Sequence, residues 1–389
     1  MKESKSAKIG LVIIAVWAGI IVLSDLLQQD RRFSENENRL LAQEPELTLT
    51  GLLEGSFMQA YEQYMSDQFI GRDVWIRLKT YGEKYLGKQE INGIYLLEGE
   101  RLVQRMEPSF VTKETEERKR EQLMEELAGL KQAVTGDCYL MLVPGAAELF
   151  RDALPPHAAE YDQKGFLDRV REHLPKDVVW VDVETELKKG ERERLYYRLD
   201  HHWTTEGAFY GYQALRKAWG KAPAEPSEYV VEQVSEDFLG TLHSRLNLPM
   251  KGDIIETYTR KKEQSHRVEY VYEGVESSSL YEDKHLRTKD QYAFFLDGNH
   301  PLIIITTEAQ HPSAEDASDE TPFPGEERKS GLLVIKNSYA NCLIPFLTED
   351  YTTVYVIDPR YYHADLKRFV EEKKIEDCLY LYDVPGFLN

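Results

Sequence analysis

The chain has 389 residues, of which 48 are Lys or Arg and 68 are Asp or Glu, so its formal net charge is −20 at neutral pH. This charge argues against a protein that neutralises nucleic-acid phosphates, and against docking of its body on anionic lipid. The hydrophobic fraction of 42% supports a packed core, and three cysteines without a C-x-x-C pair exclude a cysteine-rich zinc site and a dense disulfide framework.

The amino terminus differs from this average. Residues 9–23 form an unbroken apolar run that follows three lysines. The run reaches a membrane-spanning length if it is extended to Leu27, and no small-residue cleavage site follows it. We therefore expect a cytoplasmic tail over residues 1–8 and an uncleaved transmembrane anchor over residues 9–27, with the rest of the chain outside the cell. The alternative, a buried core helix, is rarely apolar on every face.

The remaining sequence is organised as one large domain behind a short connector. Residues 28–50 are polar and predict a stalk, and residues 51–389 predict the folded body, with an acidic insertion at residues 308–331. Apolar spacing of three and four residues predicts helices, and short apolar runs predict strands. The predicted elements are helices at 55–86, 112–134, 166–174 and 208–219, and strands at 94–97, 101–104, 138–143, 178–183, 302–306, 332–335, 353–357 and 379–382.

Strands that alternate with helices predict an α/β fold with a mainly parallel sheet. Ligands of such sheets bind beyond the carboxyl ends of the strands. The loops that follow the strands are therefore the first places to look for chemistry.

One segment with chemical potential is Asp200-His201-His202-Trp203, which is followed by Thr204-Thr205. In extended backbone, Asp200 and His202 point to the same face and His201 points away. A carboxylate beside a histidine holds the imidazole tautomer and stabilises the imidazolium during proton transfer. The same pattern is also typical of a structural histidine or of half a metal site, and the residues alone leave these alternatives open.

A second segment begins with the apolar strand at 332–335 and continues as Lys336-Asn337-Ser338-Tyr339. A serine at the turn after a buried strand lies above the sheet, where a nucleophile is accessible. A capping serine is the commoner explanation of such a residue. A third segment, Gly298-Asn299-His300, is typical of a turn, although the Asn299 amide is able to donate to a developing oxyanion.

Together these segments resemble the DHHW-motif proteins, which belong with the SGNH-hydrolase-like alginate O-acetyltransferases and related cell-surface polysaccharide acetylation proteins. The resemblance extends over most of the chain and includes the motif at 200–203, the segment 238–242, Gly298-Asn299-His300, the serine segment and the segment 357–362. It implies an SGNH-hydrolase-like α/β sandwich with a mainly parallel sheet and a circularly permuted motif order, preceded by the transmembrane helix.

The resemblance also implies catalytic roles. In the acetyltransferase relatives an Asp-x-His pair precedes a serine near the carboxyl end, and here Asp200 and His202 precede Ser338 in the same order. Ser338 is then the nucleophile, His202 the general base and Asp200 the residue that orients it. The relatives usually carry Asp immediately before the serine, whereas this chain has Asn337, which puts full activity in doubt.

Further site residues follow from the same comparison. Gly240 and Asn299 are our candidates for the oxyanion hole, together with the backbone N–H of Ser338 or Tyr339. The candidates for substrate contacts are Trp203, Arg360 and Tyr339. A structural ion pair is the alternative for Arg360, and packing against Asp200 and His202 is the alternative for Trp203. We expect no metal and no cofactor at this site.

The predicted function is transfer of an acetyl group to hydroxyls of a cell-surface polysaccharide through an acetyl-serine. The acetyl donor would arrive through a polytopic membrane acyltransferase partner, because acetyl-CoA is cytosolic. Two alternatives stay open from sequence: a carbohydrate esterase or deacetylase with the same Ser-His-Asp site, and a catalytically inactive glycan-binding or scaffold protein. Nucleic acid is not an expected partner.

Overall fold

The computed structural model describes residues 5–34, 39–261, 264–308 and 328–389, and these residues divide into two compact units. The first unit comprises residues 1–91 and 243–249, and the second comprises residues 92–242 and 250–389. Most of the predicted acidic insertion, residues 309–327, lies outside the described residues.

The secondary structure confirms the alternation of helices and strands. The helices are α1 Lys5–Leu27, α2 Leu49–Glu54, α3 Ser56–Gln68, α4 Arg72–Tyr85, α5 Lys113–Ala133, α6 Ala146–Leu149, α7 Gln163–His173, α8 Val183–Leu187, α9 Arg192–Leu195, α10 Thr205–Ala218, α11 Thr241–Leu246, α12 Ile344–Leu347, α13 Leu366–Lys373 and α14 Val384–Leu388. The strands are β1 Phe33–Ser34, β2 Arg39–Leu40, β3 Glu90–Ile91, β4 Ile94–Leu97, β5 Arg101–Gln104, β6 Cys138–Val143, β7 Val178–Trp180, β8 Tyr229–Phe238, β9 Asp253–Arg260, β10 His266–Tyr270, β11 Val275–Ser277, β12 Leu302–Thr307, β13 Lys329–Lys336, β14 Tyr351–Ile357 and β15 Asp377–Asp383.

In the first unit, α1 is the feature with the clearest physical meaning. Its segment Lys8–Asp25 has a mean hydropathy of 2.0 and no buried residues, so it is long and apolar enough to cross a membrane. Asp25 at its end accepts a hydrogen bond from the Ile70 N–H at 2.8 Å. The observation fits either a membrane anchor or a signal sequence, and the boundaries 9–27 stay a prediction.

One expectation for the first unit needs correction. The helix predicted over residues 55–86 is two helices, α3 and α4, because Gly71 adopts a left-handed φ of 62° between them. The stalk over residues 28–50 stays a prediction, and part of it contacts the end of α3. Gln68 at the end of α3 donates hydrogen bonds to the Arg31 and Ala42 carbonyls, at 2.9 and 2.8 Å.

The second unit is built on an eight-stranded sheet in the order β11-β10-β12-β14-β13-β15-β6-β7. Strands β14, β13, β15, β6 and β7 pair in parallel, whereas β12, β10 and β11 add antiparallel pairs at one edge. The fold is therefore the predicted α/β fold with a mainly parallel central sheet. The antiparallel ribbon of β8 and β9 was not predicted, because exposed residues interrupt the apolar pattern of β8.

Helices cover both faces of the sheet, as the alternation along β6 illustrates. Tyr139 and Met141 belong to the same apolar cluster as residues of α10, whereas Leu140 belongs to the cluster that contains residues of α5 and α7. Successive side chains of a strand point to opposite faces, so a strand covered on both sides is apolar throughout. This arrangement leaves the carboxyl edge of the parallel strands open for a site.

Close packing of α10 predicts a stability effect at Gly211. A Cβ at this position would lie 2.7 Å from Cη2 of Trp203, a fully buried ring with no room to move. We expect Gly211→Ala to lower the free energy of unfolding by about 1–3 kcal/mol, as measured by urea unfolding of the full chain in detergent.

The matched control is Gly129→Ala in α5, where an added Cβ meets nothing within 4 Å. Because Ala favours a helix over Gly by up to about 1 kcal/mol, this variant is expected to be as stable as the wild type or more so. Equal stability of the two variants would contradict the packing argument.

Candidate functional site

Asp200 and His202 lie in the loop between α9 and α10 and contact each other directly. The Asp200 Oδ1 atom is 2.5 Å from His202 Nδ1 and also accepts the His202 backbone N–H at 3.0 Å. Thr204 caps α10 by accepting the Gly207 N–H at 3.1 Å. The cap fixes where the helix begins, so the loop before it is held in place.

The Asp200 carboxylate is buried and has hydrogen-bond partners on both oxygens. Its Oδ2 accepts the backbone N–H and the hydroxyl of Thr241, at 2.7 and 2.9 Å. Burial works against the ionised form, but the adjacent His202 and His201, with the hydrogen bonds from His202 and Thr241, outweigh it and hold the pKa of Asp200 well below its ordinary value. Asp200 is therefore an anion throughout the neutral range.

His202 reaches Ser338 with its other ring nitrogen. The distance from His202 Nε2 to Ser338 Oγ is 3.0 Å, and His202 is only 4% exposed. Carboxylate, imidazole and hydroxyl thus form one continuous hydrogen-bonded series, although 136 residues separate the histidine from the serine. This is the geometry in which an imidazole can take a proton from a serine.

The position of His201 differs from the prediction. Its ring centroid lies 3.9 Å from that of His202, and its Nδ1 is 2.8 Å from the Thr241 hydroxyl and 3.6 Å from Asp200 Oδ1. The loop bends at these residues instead of running extended, so His201 does not point away from the other two side chains.

Ser338 stands at the first residue of a 3-10 turn, Ser338–Ala340, directly after β13 and Asn337. The next helix, α12, begins at Ile344 and has four residues. The turn is capped by Asn337, whose Oδ1 accepts the Tyr339 N–H at 3.2 Å. Because this N–H is already engaged, the Ser338 N–H is the better of the two predicted backbone donors for an oxyanion.

Asn337 has a partner that explains why an amide suits this position. Its Nδ2 donates to Asp383 Oδ1 at 2.7 Å, and both side chains are buried. An aspartate at 337 would supply the same capping oxygen, but it would also place a second carboxylate against Asp383. The departure from the relatives' usual residue is therefore matched by a hydrogen bond within this chain.

Two of the predicted substrate contacts have buried side chains. Trp203 is fully buried and donates its indole N–H to the Tyr339 carbonyl at 2.9 Å, and Tyr339 itself is 1% exposed. Their rings lie 5.1 Å apart. Both side chains pack the serine turn against the His202 loop, and their substrate roles stay predictions.

The other predicted residues lie nearby in different settings. An added Cβ at Gly240 would be 2.3 Å from Asp200 Cβ, so the absence of a side chain there permits close packing on Asp200. Asn299 is exposed, and its Oδ1 accepts Lys336 Nζ at 2.8 Å. Arg360 forms two hydrogen bonds with Asp358, at 2.9 and 2.6 Å, and its side chain is 49% exposed. The oxyanion roles of Gly240 and Asn299 and the substrate role of Arg360 stay predictions.

A metal ion is a poorer fit than the hydrogen-bonded series. Asp200, His201 and His202 offer ligand atoms within 4.8 Å of one another. However, the two Asp200 oxygens already have His202 and Thr241 as partners. The two ring nitrogens of His202 already contact Asp200 and Ser338. A metal would have to replace these bonds.

Sequence reasoning missed several residues that shape the site. Tyr292 stacks on His202 with the ring centroids 3.8 Å apart and an angle of 13° between the planes. Thr241 holds Asp200, and Asp383 holds Asn337. Thr241 lies in the family-like segment 238–242, whereas Tyr292 and Asp383 lie outside the segments named above, and none of the three has a local pattern of its own.

Comparison with known proteins supports the resemblance. Residues 100–288 match the family model of the SGNH hydrolase-like domain of the acetyltransferase AlgX. The matched residues include Asp200 and His202 and end before Ser338. No curated protein matches the chain.

Solved structures share the fold. A DHHW family protein from Eubacterium siraeum is similar with a TM-score of 0.61 and 20% identity, over 77% of this chain and 93% of that one. Bacillus cereus PatB1, in a structure with a sulfonyl adduct, is similar with a TM-score of 0.59 and 21% identity, over 76% of this chain and 97% of that one. At this level of identity the likeness establishes the fold alone.

The contact between Asn337 and Asp383 predicts a specific coupling. We expect Asn337→Asp to lower the free energy of unfolding by about 1–3 kcal/mol at neutral pH, because a buried carboxylate would lose its donor and face another carboxylate. The double variant Asn337→Asp/Asp383→Asn exchanges the two groups and is expected to recover most of that loss.

The measurement is a double-mutant cycle by urea unfolding, with Asp383→Asn as the second single variant. Additive losses in the double variant would show that the two side chains do not support each other.

Proposed function

Since residues 100–288 match the SGNH hydrolase-like domain of an acetyltransferase, we propose that this chain is an O-acetyltransferase that moves an acetyl group to hydroxyls of a cell-surface polysaccharide through an acetyl-serine. The observation that carries the proposal is the hydrogen-bonded series from Asp200 through His202 to Ser338. Residues spaced far apart in the sequence meet there in the order that acyl transfer requires.

In the first stage, Ser338 Oγ attacks the carbonyl carbon of the acetyl donor and His202 Nε2 takes the hydroxyl proton. The tetrahedral intermediate then expels the donor's alcohol, which receives that proton from His202. The product of this stage is acetyl-Ser338 with His202 neutral again.

The ionised Asp200 selects the histidine tautomer for this step. A carboxylate only accepts hydrogen bonds, so the His202 proton belongs on Nδ1, which faces Asp200 at 2.5 Å. Nε2 then carries the lone pair that faces Ser338. The Tyr292 ring, stacked on the imidazole, limits its rotation.

In the second stage, a sugar hydroxyl attacks the acetyl carbonyl while His202 Nε2 takes its proton. Collapse of the intermediate releases Ser338 and the acetylated sugar, and the proton returns to Ser338 Oγ. We assign stabilisation of both oxyanions to the Ser338 N–H, the Asn299 amide and the Gly240 backbone. Arg360, with its half-exposed guanidinium, is the predicted contact for the acceptor.

The proposed location is the outer face of a cell membrane, with α1 as the anchor. The apolar span Lys8–Asp25 and the lysines before it support this orientation. A polytopic membrane acyltransferase would then deliver the acetyl group, because the domain would have no access to cytosolic acetyl-CoA. The net charge of −20 favours a neutral glycan over a strongly anionic one.

Hydrolysis is the competing outcome, because water can replace the sugar hydroxyl in the second stage without any change in the residues used. The main argument for an inactive scaffold was Asn337. Its capping bond to Tyr339 and its bond to Asp383 give that residue a structural role compatible with activity.

The test uses the full chain in detergent with 4-nitrophenyl acetate, with and without a neutral oligosaccharide. We expect mass spectrometry to find an acetyl group on Ser338, and we expect the oligosaccharide to be acetylated. Ser338→Ala and His202→Ala are each expected to lower turnover by at least about 10³-fold, because the nucleophile and its base act as a unit.

The control is Ser66→Ala, which removes an exposed serine of α3 and is expected to leave turnover unchanged. Rapid hydrolysis at the same rate with and without sugar would favour the esterase. Turnover that survives Ser338→Ala would refute both enzymatic readings.

A further inference from the structure

Lys336 is a buried cation beside the serine turn whose purpose the acyl-transfer steps leave unexplained. It is the last residue of β13, two residues before Ser338, and it has no exposed surface. Burial lowers the pKa of Lys336 to about 8, although the nearby Asp358 acts in the opposite direction. Burying an ammonium group costs free energy unless other groups in the chain compensate it, so the contacts of Lys336 indicate what it does at the site.

The shorter of its two polar contacts is to Asn299. Lys336 Nζ lies 2.8 Å from Asn299 Oδ1, whereas its distance to Asp358 Oδ2 is 3.7 Å. Asp358 has another cationic partner, since Arg360 binds both carboxylate oxygens. Because Arg360 already neutralises Asp358, that task alone does not explain why a lysine is buried at position 336.

An ammonium group can donate hydrogen bonds but cannot accept them. Lys336 therefore requires Asn299 to present its oxygen, and this fixes which end of the amide is the NH₂ group. Asn341 Nδ2, also a donor, approaches the same oxygen at 3.5 Å. The two donors together turn the Asn299 NH₂ group away from Lys336.

The loop that carries Asn299 is tied to the serine turn. Asn341 Nδ2 donates to the Gly298 carbonyl at 3.0 Å, and the Asn341 N–H donates to the Ser338 carbonyl at 3.1 Å. Asn341 thus bonds to the residue before Asn299 and to the serine itself. This connection brings the oriented amide to the neighbourhood of the nucleophile.

We propose that Lys336 is a positioning residue that fixes the Asn299 amide with its nitrogen toward the oxyanion formed when Ser338 attacks an acetyl group. The inference rests on the proposed function and adds a residue to it. A donor oriented before the reaction stabilises the transition state without reorganisation. Loss of Lys336 should therefore lower kcat and leave KM nearly unchanged, because the ground-state carbonyl makes a weaker bond to the same amide.

The experiment measures kcat and KM for 4-nitrophenyl acetate with the full chain in detergent. Asn299→Ala is expected to lower kcat by about 10²-fold, the usual cost of one oxyanion donor. Lys336→Met is expected to lower kcat by about 10-fold or more, with KM within about twofold of the wild type. In the double variant, Lys336→Met should cause no further loss, because the amide it orients is gone.

The matched control is Lys329→Met at the opposite end of β13. Lys329 also pairs with a buried aspartate, Asp377, at 2.5 Å, but it lies far along the strand from Ser338. We expect this variant to lose thermal stability and to keep its kcat. A purely structural role of Lys336 would give the same result at position 336.

Three results would overturn the inference while leaving the proposed function intact. One is an unchanged kcat in Asn299→Ala, a variant of an exposed side chain. Another is a Lys336→Met variant that folds and keeps its kcat. The third is an equal loss of kcat from Lys336→Met in the wild-type chain and in the Asn299→Ala variant.

If Lys336→Met does not fold, Lys336→Gln replaces it in the experiment. The Gln side chain is one bond shorter than Lys and is expected not to reach Asn299, so the same outcomes apply. A wild-type chain without turnover, or turnover unaffected by Ser338→Ala, would instead refute the proposed function.

Discussion

A buried carboxylate that stays ionised is the constraint on which the site depends. Asp200 is 2% exposed, and an isolated anion in that position would be too costly to keep. Its two oxygens receive donors from His202, in the loop before α10, and from Thr241, the first residue of α11. Since its pKa in the folded chain is depressed, its contribution to stability is present above about pH 4 and is lost as the pH falls toward the folded-state value. The hydrogen bonds to this one carboxylate therefore align the histidine and join its loop to the start of α11.

The parallel sheet explains how the remaining residues reach the same place. Strands β13 and β14 lie side by side in the same direction, so Lys336 and Ser338 emerge next to the segment that carries Asp358. The antiparallel neighbour β12 starts at that edge, which brings the preceding Asn299 to it. Residues that are distant in the sequence thus become neighbours through strand direction alone.

The sequence predicted what depends on local patterns. The strands at 138–143, 94–97 and 101–104 have short-range signals, and the structure has them. Asp200, His202 and Ser338 were chosen through motif resemblance, and their contacts depend on the fold. The prediction of one helix over residues 55–86 was wrong because apolar spacing does not register the left-handed turn at Gly71.

What the sequence could not supply is the set of partners that the fold brings to each polar side chain. Nothing near Asn337 in the chain points to Asp383, 46 residues away, and nothing near Lys336 points to Asn299. In the sequence, a lysine after an apolar run is interpreted only as the polar residue that ends the strand. The role that we propose for it depends on its contact with the Asn299 oxygen, which only the fold provides.

The partners also show how an acidic chain keeps its serine turn free of unbalanced charge. Asp200 is matched by His202 and Thr241, Asp358 by Arg360 and Lys336, and Asp383 by Asn337. Each of these three buried carboxylates thus has a donor within the chain. In this setting a carboxylate at position 337 would keep the Tyr339 N–H as a donor, but it would add a fourth anion and remove the amide donor from Asp383. The amide at 337 is therefore better understood as part of this local charge balance than as a sign of lost activity.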